Sequence, residues 1–200
     1  MNHAWKNEER IVAKMFGTRR RLMKGTDEKE DIGYDLFPYS VDVKLWKVWS
    51  VLKWFKELAM FASERGKPAI LTVRQPGKKL RLAIVCTAFL EALLWKHNHA
   101  WRDGKLYSVA KYEADKWRVD YWFRELEGCK ESRGKIPILY LRTKDPVEVG
   151  LSAIKLDNLI SIMKGAGYLV PESDRKAVFT REEIELLKKR IVEEDCNGDG

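Results

Sequence analysis

The chain repeats part of its own sequence, and this repeat restricts the possible folds more than any other feature. Between residues 39 and 142, many residues placed 68 positions apart are identical. The matches are Tyr39-Ser40-Val41 with Tyr107-Ser108-Val109, Trp49 with Trp117, Trp54-Phe55 with Trp122-Phe123, Arg65-Gly66-Lys67 with Arg133-Gly134-Lys135, and Arg74 with Arg142. Unrelated segments would share only a few of these residues, so the pattern favours the duplication of one structural unit.

The second copy of this unit is truncated. Asn2-His3-Ala4-Trp5 matches Asn98-His99-Ala100-Trp101, but the polar stretch that follows the first of these segments has no counterpart after the second. Where the first copy has Asp42-Val43-Lys44, the second has Ala110-Lys111-Tyr112. We therefore expect any catalytic chemistry to belong to the first copy.

These observations predict three regions along the chain. Residues 1–97 would form a complete domain, and residues 98–168 a degenerate second copy that lacks the catalytic motif. Residues 169–200 would form a C-terminal helix and tail, because Thr180 and Glu183 have the spacing of a helix-capping box.

Hydrophobic periodicity predicts an α/β fold. A helical pattern over residues 4–16 ends near Gly17, and an aromatic-rich amphipathic helix is predicted over residues 46–65. Alternating segments on both sides of Pro38 and Tyr39 predict a β-hairpin, with Asp42 and Lys44 on one face of its second strand. Two further strands follow, Ala69-Ile70-Leu71-Thr72-Val73-Arg74-Gln75 and a strand from Leu80 that runs into a helix. The expected architecture is a central mixed sheet flanked by helices.

Composition limits the classes of partner. The formal net charge is +8 and the isoelectric point is about 9.3, which permits binding to a polyanion such as DNA. No apolar run approaches the roughly 20 residues that span a bilayer, so no membrane association is expected. The N-terminal residues lack the apolar stretch of a secretory signal, and three widely spaced cysteines match neither a disulfide framework nor a zinc site. We expect an intracellular, cytoplasmic protein.

One group of residues has the chemistry of a metal-dependent hydrolase. Asp42 and Lys44 lie about 7 Å apart on one face of a strand, and Asp35 precedes them across the predicted turn. Two carboxylates with a nearby main-chain carbonyl, that of Val43, form an oxygen site suited to Mg²⁺ or Mn²⁺. Lys44 can then orient a water molecule and offset charge on a phosphate. An acidic side chain from the first helix would complete the site.

The order of these segments resembles that of the PD-(D/E)XK nucleases, in particular the branch similar to archaeal Holliday junction resolvases and resolvase-like restriction endonucleases. The resemblance covers roughly the first half of the chain. The segments that support it begin at Glu8 and Tyr34, include the helix through Trp54, and end with the strand that starts at Ala69. It implies a restriction-endonuclease-like fold and a Mg²⁺-dependent endodeoxyribonuclease.

The resemblance also implies individual roles. Glu9, with Glu8 as a near alternative, would be the helix-1 glutamate, and Arg19 and Arg20 would contact DNA phosphates. The metal ligands would be Asp35 and Asp42, and Lys44 would be the motif lysine. Some family members have a glutamine in the helix after the motif, where this chain has Glu57.

Several alternatives remain open at this stage. The chain could be a catalytically inactive DNA-binding or assembly protein that retains the nuclease fold, or an enzyme that acts on RNA or nucleotides. It could act as a homodimer or as an internal pseudo-dimer, in which the second copy replaces a second subunit.

Overall fold

The computed structural model describes residues 4–20, 30–32, 37–45, 50–100, 107–113, 118–130, 133–142 and 150–169; at 97–100, 107–113 and 142 only the backbone is described. The helices are α1 (Ala4–Met15), α2 (Val51–Glu64), α3 (Thr87–Ala100), α4 (Val119–Gly128) and α5 (Leu156–Gly165). The strands are β1 (Ser40–Leu45), β2 (Ala69–Arg74), β3 (Arg81–Cys86), β4 (Tyr107–Glu113), β5 (Ile136–Arg142) and β6 (Leu151–Lys155).

The six strands form one mixed sheet in the order β1-β2-β3-β6-β5-β4. The outer pairs, β1 with β2 and β4 with β5, are parallel, because a helix connects the two strands of each pair. The three inner pairings are antiparallel. The expected α/β architecture, with a mixed sheet flanked by helices, is therefore confirmed.

Both halves of the chain follow the same course. Each contributes a strand, a helix, a parallel strand, an antiparallel strand and a final helix. The halves meet at the centre of the sheet, where Ile84 of β3 lies opposite Ala153 of β6. The sheet is thus continuous across the sequence boundary expected near residue 97.

Helices cover both faces of the sheet. One core, hereafter the α1 face, contains Val12, Leu90 and Leu159 from α1, α3 and α5. The other core, hereafter the α2 face, contains Leu58 and Phe123 from α2 and α4. Alternation along each strand sends successive side chains to opposite faces, as in β2, where Ile70 joins the first core and Leu71 the second.

Most of the predicted elements occur where the periodicity places them. α1 ends at Met15, just before Gly17, whose φ of +66° suits glycine, and β2 and β3 follow the two predicted strands. α2 begins at Val51, and the preceding residues 46–49 lie outside the described part of the chain. The predicted C-terminal helix also lies outside the described residues. Within the described chain, every helix is too short or too polar to cross a bilayer.

The described residues before β1 show only part of the predicted hairpin. Most of its predicted first strand, including Asp35, lies outside the described residues, and Phe37 is not in a strand. Ile32 instead forms isolated antiparallel bridges to Val41 of β1 and to Arg20. Residues 20 and 32 thereby extend the sheet beyond β1.

We predict that Tyr39→Phe lowers the free energy of unfolding by about 1–2 kcal/mol, because a buried carbonyl loses its donor. The Tyr39 hydroxyl donates to the carbonyl oxygen of Tyr168 at 2.6 Å and ties the start of β1 to the segment after α5. Urea unfolding measures the change.

Tyr140→Phe is the matched control, since the Tyr140 hydroxyl bonds to Glu91 in an exposed position at 3.1 Å. It should cost well under 1 kcal/mol, because water replaces an exposed hydrogen bond. Equal losses in the two variants would contradict the structural role given to Tyr39.

Candidate active site

α1 brings two buried glutamates to the sheet, and they have different partners. Successive residues of a helix point about 100° apart, so Glu8 and Glu9 face different neighbours. Glu8 lies 2.6 Å from Arg74 Nη2 and 2.5 Å from Arg81 Nε, on β2 and β3. Glu9 forms an ion pair with Arg20. Both glutamates are almost fully buried, at 1% and 2% exposure.

β1 places the acid and the lysine of the motif together. The Lys44 ammonium donates to Asp42 Oδ1 at 2.8 Å and lies 2.7 Å from Oδ2. Asp42 is 6% exposed, whereas the Lys44 side chain is 27% exposed. The lysine therefore neutralises a buried carboxylate while its ammonium stays near the surface. Thr72 of β2 donates to the Asp42 carbonyl at 3.2 Å and ties this position to the sheet.

Asp31 joins this pair through the edge of β1. Its N–H donates to the Val41 carbonyl at 2.9 Å, and its Oδ2 accepts the Val43 N–H at 2.8 Å. The Asp31 side chain thus continues the hydrogen-bonding pattern that Ile32 begins. Its carboxyl group is also hydrogen-bonded to the side chain of Asp42. Asp31 is the second acid that the described structure places beside Asp42.

The neighbouring residue Glu30 fixes this segment in place. Glu30 is 1% exposed and accepts a hydrogen bond from the Ser40 hydroxyl at 2.6 Å, at the start of β1. Lys67 Nζ lies 3.9 Å from the same carboxylate. Residues 30–32 are therefore held against β1 by both side-chain and main-chain bonds.

Burial and like charge disfavour ionisation of two acids in the site. Burial raises the pKa of Asp31 to about 8, and the hydrogen bond and negative charge of Asp42 add to the rise, which the Val43 N–H opposes. Burial also raises the pKa of Glu9, and Arg20 opposes that rise. The charges of Asp42 and Lys44 act on Glu9 as well, in opposite directions. The three acids therefore share one electrostatic environment.

This environment fits a hard cation by its donor chemistry. Carboxylate oxygens are preferred ligands of Mg²⁺ and Mn²⁺. Glu9 Oε2 pairs with Arg20, but Glu9 Oε1 is buried and has no hydrogen-bond partner, which is costly for a carboxylate oxygen. Among the described residues, however, no three acidic, histidine or cysteine side chains already converge in an ion-holding arrangement. Asp31 and Asp42, with Glu9 beside them, are the residues that would hold a cation.

The structure brings together four of the residues selected from sequence, namely Glu9, Arg20, Asp42 and Lys44. Glu8 points to the arginines of β2 and β3 instead. Arg19 is exposed, and Asp35 lies outside the described residues.

Two predictions about the motif, on the Val43 carbonyl and on Glu57, stay predictions. The carbonyl of Val43 as a metal ligand is untested, although the Val43 side chain packs in the core of the α1 face. Glu57, at the place where some members of the resembled family have glutamine, is exposed on α2.

Sequence reasoning missed Asp31. The signal available was an acid directly before Ile32, the apolar residue that follows the polar stretch Thr26-Asp27-Glu28-Lys29-Glu30-Asp31. A single bridging residue has no periodicity, so it gives no strand pattern from which to place its neighbour.

Comparison with known proteins gives no match. Neither the protein-family models, nor the curated proteins, nor the solved structures include one that is significantly similar to this chain.

We predict that the cation-free protein becomes less stable as pH rises from about 4 to about 8. Asp31 has its pKa raised from 3.8 to about 8, so the folded protein retains a proton that the unfolded chain has released. The free energy of unfolding should fall by at most about 1.4 kcal/mol per pH unit from this group, and the contribution is gone above pH 8. Chemical unfolding at several pH values in EDTA measures the slope.

Asp31→Asn should flatten this part of the profile, because asparagine does not titrate. The control Asp120→Asn removes an acid that pairs with Arg124 on α4, away from the site. A profile that keeps its slope in Asp31→Asn would show that Asp31 binds no extra proton on folding.

Proposed function

We propose that the protein is a metal-dependent nuclease that hydrolyses phosphodiester bonds in DNA. The arrangement around β1 supports this proposal most. Lys44 pairs with the buried Asp42, and two further acids, Asp31 and Glu9, lie beside this pair. Buried acids that crowd together next to one partly exposed lysine are typical of sites that bind a divalent cation and a phosphate.

The course of the chain through this region supports a relation to the PD-(D/E)XK nucleases. α1 is followed by bridging positions at Arg20 and Ile32, then by β1, the crossover helix α2 and the parallel strand β2. The resemblance is based on the same order of first helix, strand with Asp42 and Lys44, aromatic helix and strand from Ala69, and Asp31 adds an acid on the edge segment. We therefore propose a restriction-endonuclease-like fold for the first half.

In this proposal Asp31 and Asp42 hold the cation, with Glu9 acting directly or through a bound water molecule. A Mg²⁺ or Mn²⁺ ion there would polarise the phosphodiester and activate a water molecule as the nucleophile. Asp35, which the sequence analysis assigns to the same role, stays a candidate ligand.

Lys44 contributes charge at the point of hydrolysis. Its ammonium is held by Asp42 and remains partly exposed, so a phosphate oxygen that reaches the site meets a fixed positive charge. Such a charge stabilises the negative charge that develops on the phosphate during attack. Arg20, which pairs with Glu9, and the exposed Arg19 would supply further contacts to the DNA backbone.

We propose that the second half arose by duplication and has lost catalysis. Asp42 pairs with Leu71 in the sheet, and the corresponding pair in the second half is Ala110 with Leu139. One chain would then have a single active site and an attached, non-catalytic partner half. The alternative is that the whole protein is a catalytically inactive DNA-binding or assembly protein. The absence of any cleavage activity in the wild-type protein would favour this alternative.

We predict that Asp42→Asn and Lys44→Ala each lower the rate of DNA cleavage by on the order of 10² to 10³. Asp31→Asn should have a similar effect, because it removes a cation ligand. The assay uses labelled four-way junctions, flaps and duplexes, and supercoiled plasmid, with Mg²⁺. DNA binding, measured without divalent cations, should stay within a few-fold of the wild type.

Lys111→Ala is the matched control, since Lys111 lies on β4, the equivalent strand of the second half. It should keep the wild-type rate. The same assay on Asp35→Asn shows whether Asp35 shares the ligand role. Normal cleavage by Asp42→Asn would refute the proposed site.

We also predict that Mg²⁺ raises the stability of the folded protein. At about 100 times its dissociation constant, the ion should add about 2.7 kcal/mol to the free energy of unfolding. Asp31→Asn and Asp42→Asn should lose most of this gain, whereas Asp120→Asn should keep it. The thermal unfolding midpoint, measured in a Mg²⁺ titration at pH 8, reports the effect independently of cleavage.

A further inference from the structure

A basic cleft lies where the two halves of the chain meet on the α2 face. It has a volume of about 200 Å³, and its lining includes Lys78 and Lys79 from the turn between β2 and β3, and Arg124 from α4. Its apolar lining comes from Leu80 and Leu82. Three cations against one acid, Asp120, give the cleft a net positive charge.

The cations of the cleft are held on an ordered frame. Arg74 donates to the Lys78 carbonyl at 2.9 Å, and the Lys78 N–H donates to the Gln75 carbonyl at 3.1 Å. Gly77 provides the positive φ, +75°, that the turn requires. These bonds use the main chain of Lys78, so the side chains of Lys78 and Lys79 remain exposed.

Arg124 has donors to spare. It bonds to the Asp120 carboxylate at 2.8 Å and to the Asp120 carbonyl at 3.1 Å, and its side chain is 54% exposed. A guanidinium has five N–H groups, so these bonds leave others for an incoming anion.

Strand register gives the distance between the cleft and the candidate active site. Lys44 pairs with Val73, and Val73 pairs with Leu82, which lines the cleft. Leu82 is therefore two strands from Lys44, or about 10 Å, and its side chain points to the same face.

We propose that the basic cleft binds the phosphate backbone of the DNA beside the bond that is cut. This inference rests on the proposed nuclease function. It assigns the second half a role in the reaction, because Arg124 of that half completes a phosphate site begun by Lys78 and Lys79 of the first half. The ligand class is a nucleic-acid backbone, which the cleft binds through charge without reading base sequence.

The test compares Lys78→Ala/Lys79→Ala and Arg124→Ala with the wild-type protein. Fluorescence anisotropy with a labelled duplex in EDTA, over a series of NaCl concentrations, gives the affinity and its salt dependence. The double variant should bind roughly ten-fold more weakly, and the slope of log affinity against log salt should fall by about 1.8, for two lost contacts. In Mg²⁺ its KM should rise while kcat stays near the wild-type value.

Lys130→Ala/Lys164→Ala is the matched control, because it removes two exposed lysines that do not line the cleft. It should change affinity and slope much less than the cleft variants. Thermal unfolding confirms that each variant is folded, as expected for exposed side chains.

The possible outcomes separate the two proposals. If wild-type protein neither binds nor cuts DNA, the proposed function fails. If the wild type binds and cuts DNA but the cleft variants match the control in affinity, salt slope and KM, the cleft proposal alone is overturned.

Discussion

The structure of the first half depends on burying acids beside β1 without leaving them unpaired. Glu8, Glu9, Glu30 and Asp42 are each at most 6% exposed, and each has a cation within ion-pair distance. Removing the partner of a buried charge typically costs about 3–5 kcal/mol, so these pairs determine how α1 and the edge segment dock. Glu8 illustrates this, because its bonds to Arg74 and Arg81 fix α1 over β2 and β3 and so direct Glu9 towards Asp42. Asp31 is the exception, since its nearest charged neighbour is another carboxylate, and burial with that neighbour raises its pKa.

Sequence patterns predicted the elements whose signal is local. The hydrophobic periodicity of α1, β2 and β3 is visible within each segment alone. Gly17 and Gly66, which both have positive φ, follow the ends of α1 and α2. Alternation alone placed Asp42 and Lys44 on one face of β1, and the ion pair between them confirms that placement. Strand order and the bridge at Ile32 depend on contacts between distant segments, and no local pattern encodes them. The assignment of Asp35 depends on a predicted hairpin, which places that acid across the turn from Asp42, and Asp35 lies outside the described residues.

The two halves are joined through both cores. Ile138 and Ile154 of the second half share a core with Val12 and Phe16 of α1, and Leu139 shares the other core with Leu58 of α2. Neither half therefore buries its own share of the sheet alone. Separating the halves would expose apolar surface to water, at a free-energy cost of about 25 cal/mol per Å². The packing residues of the second half therefore have a structural role that does not depend on catalysis.

The strand register places uncharged residues of the second half where the first half has Asp42 and Lys44. Asp42 opposite Leu71 becomes Ala110 opposite Leu139, and Lys44 opposite Val73 becomes Tyr112 opposite Leu141. Replacing a buried ion pair with uncharged residues removes the desolvation penalty and the need for internal counterions. In the first half that penalty persists, as the proposed cation and phosphate site would require. The difference between β1 and β4 fits the proposed division of labour, in which one half would perform the chemistry and the other would supply packing and a wall of the basic cleft.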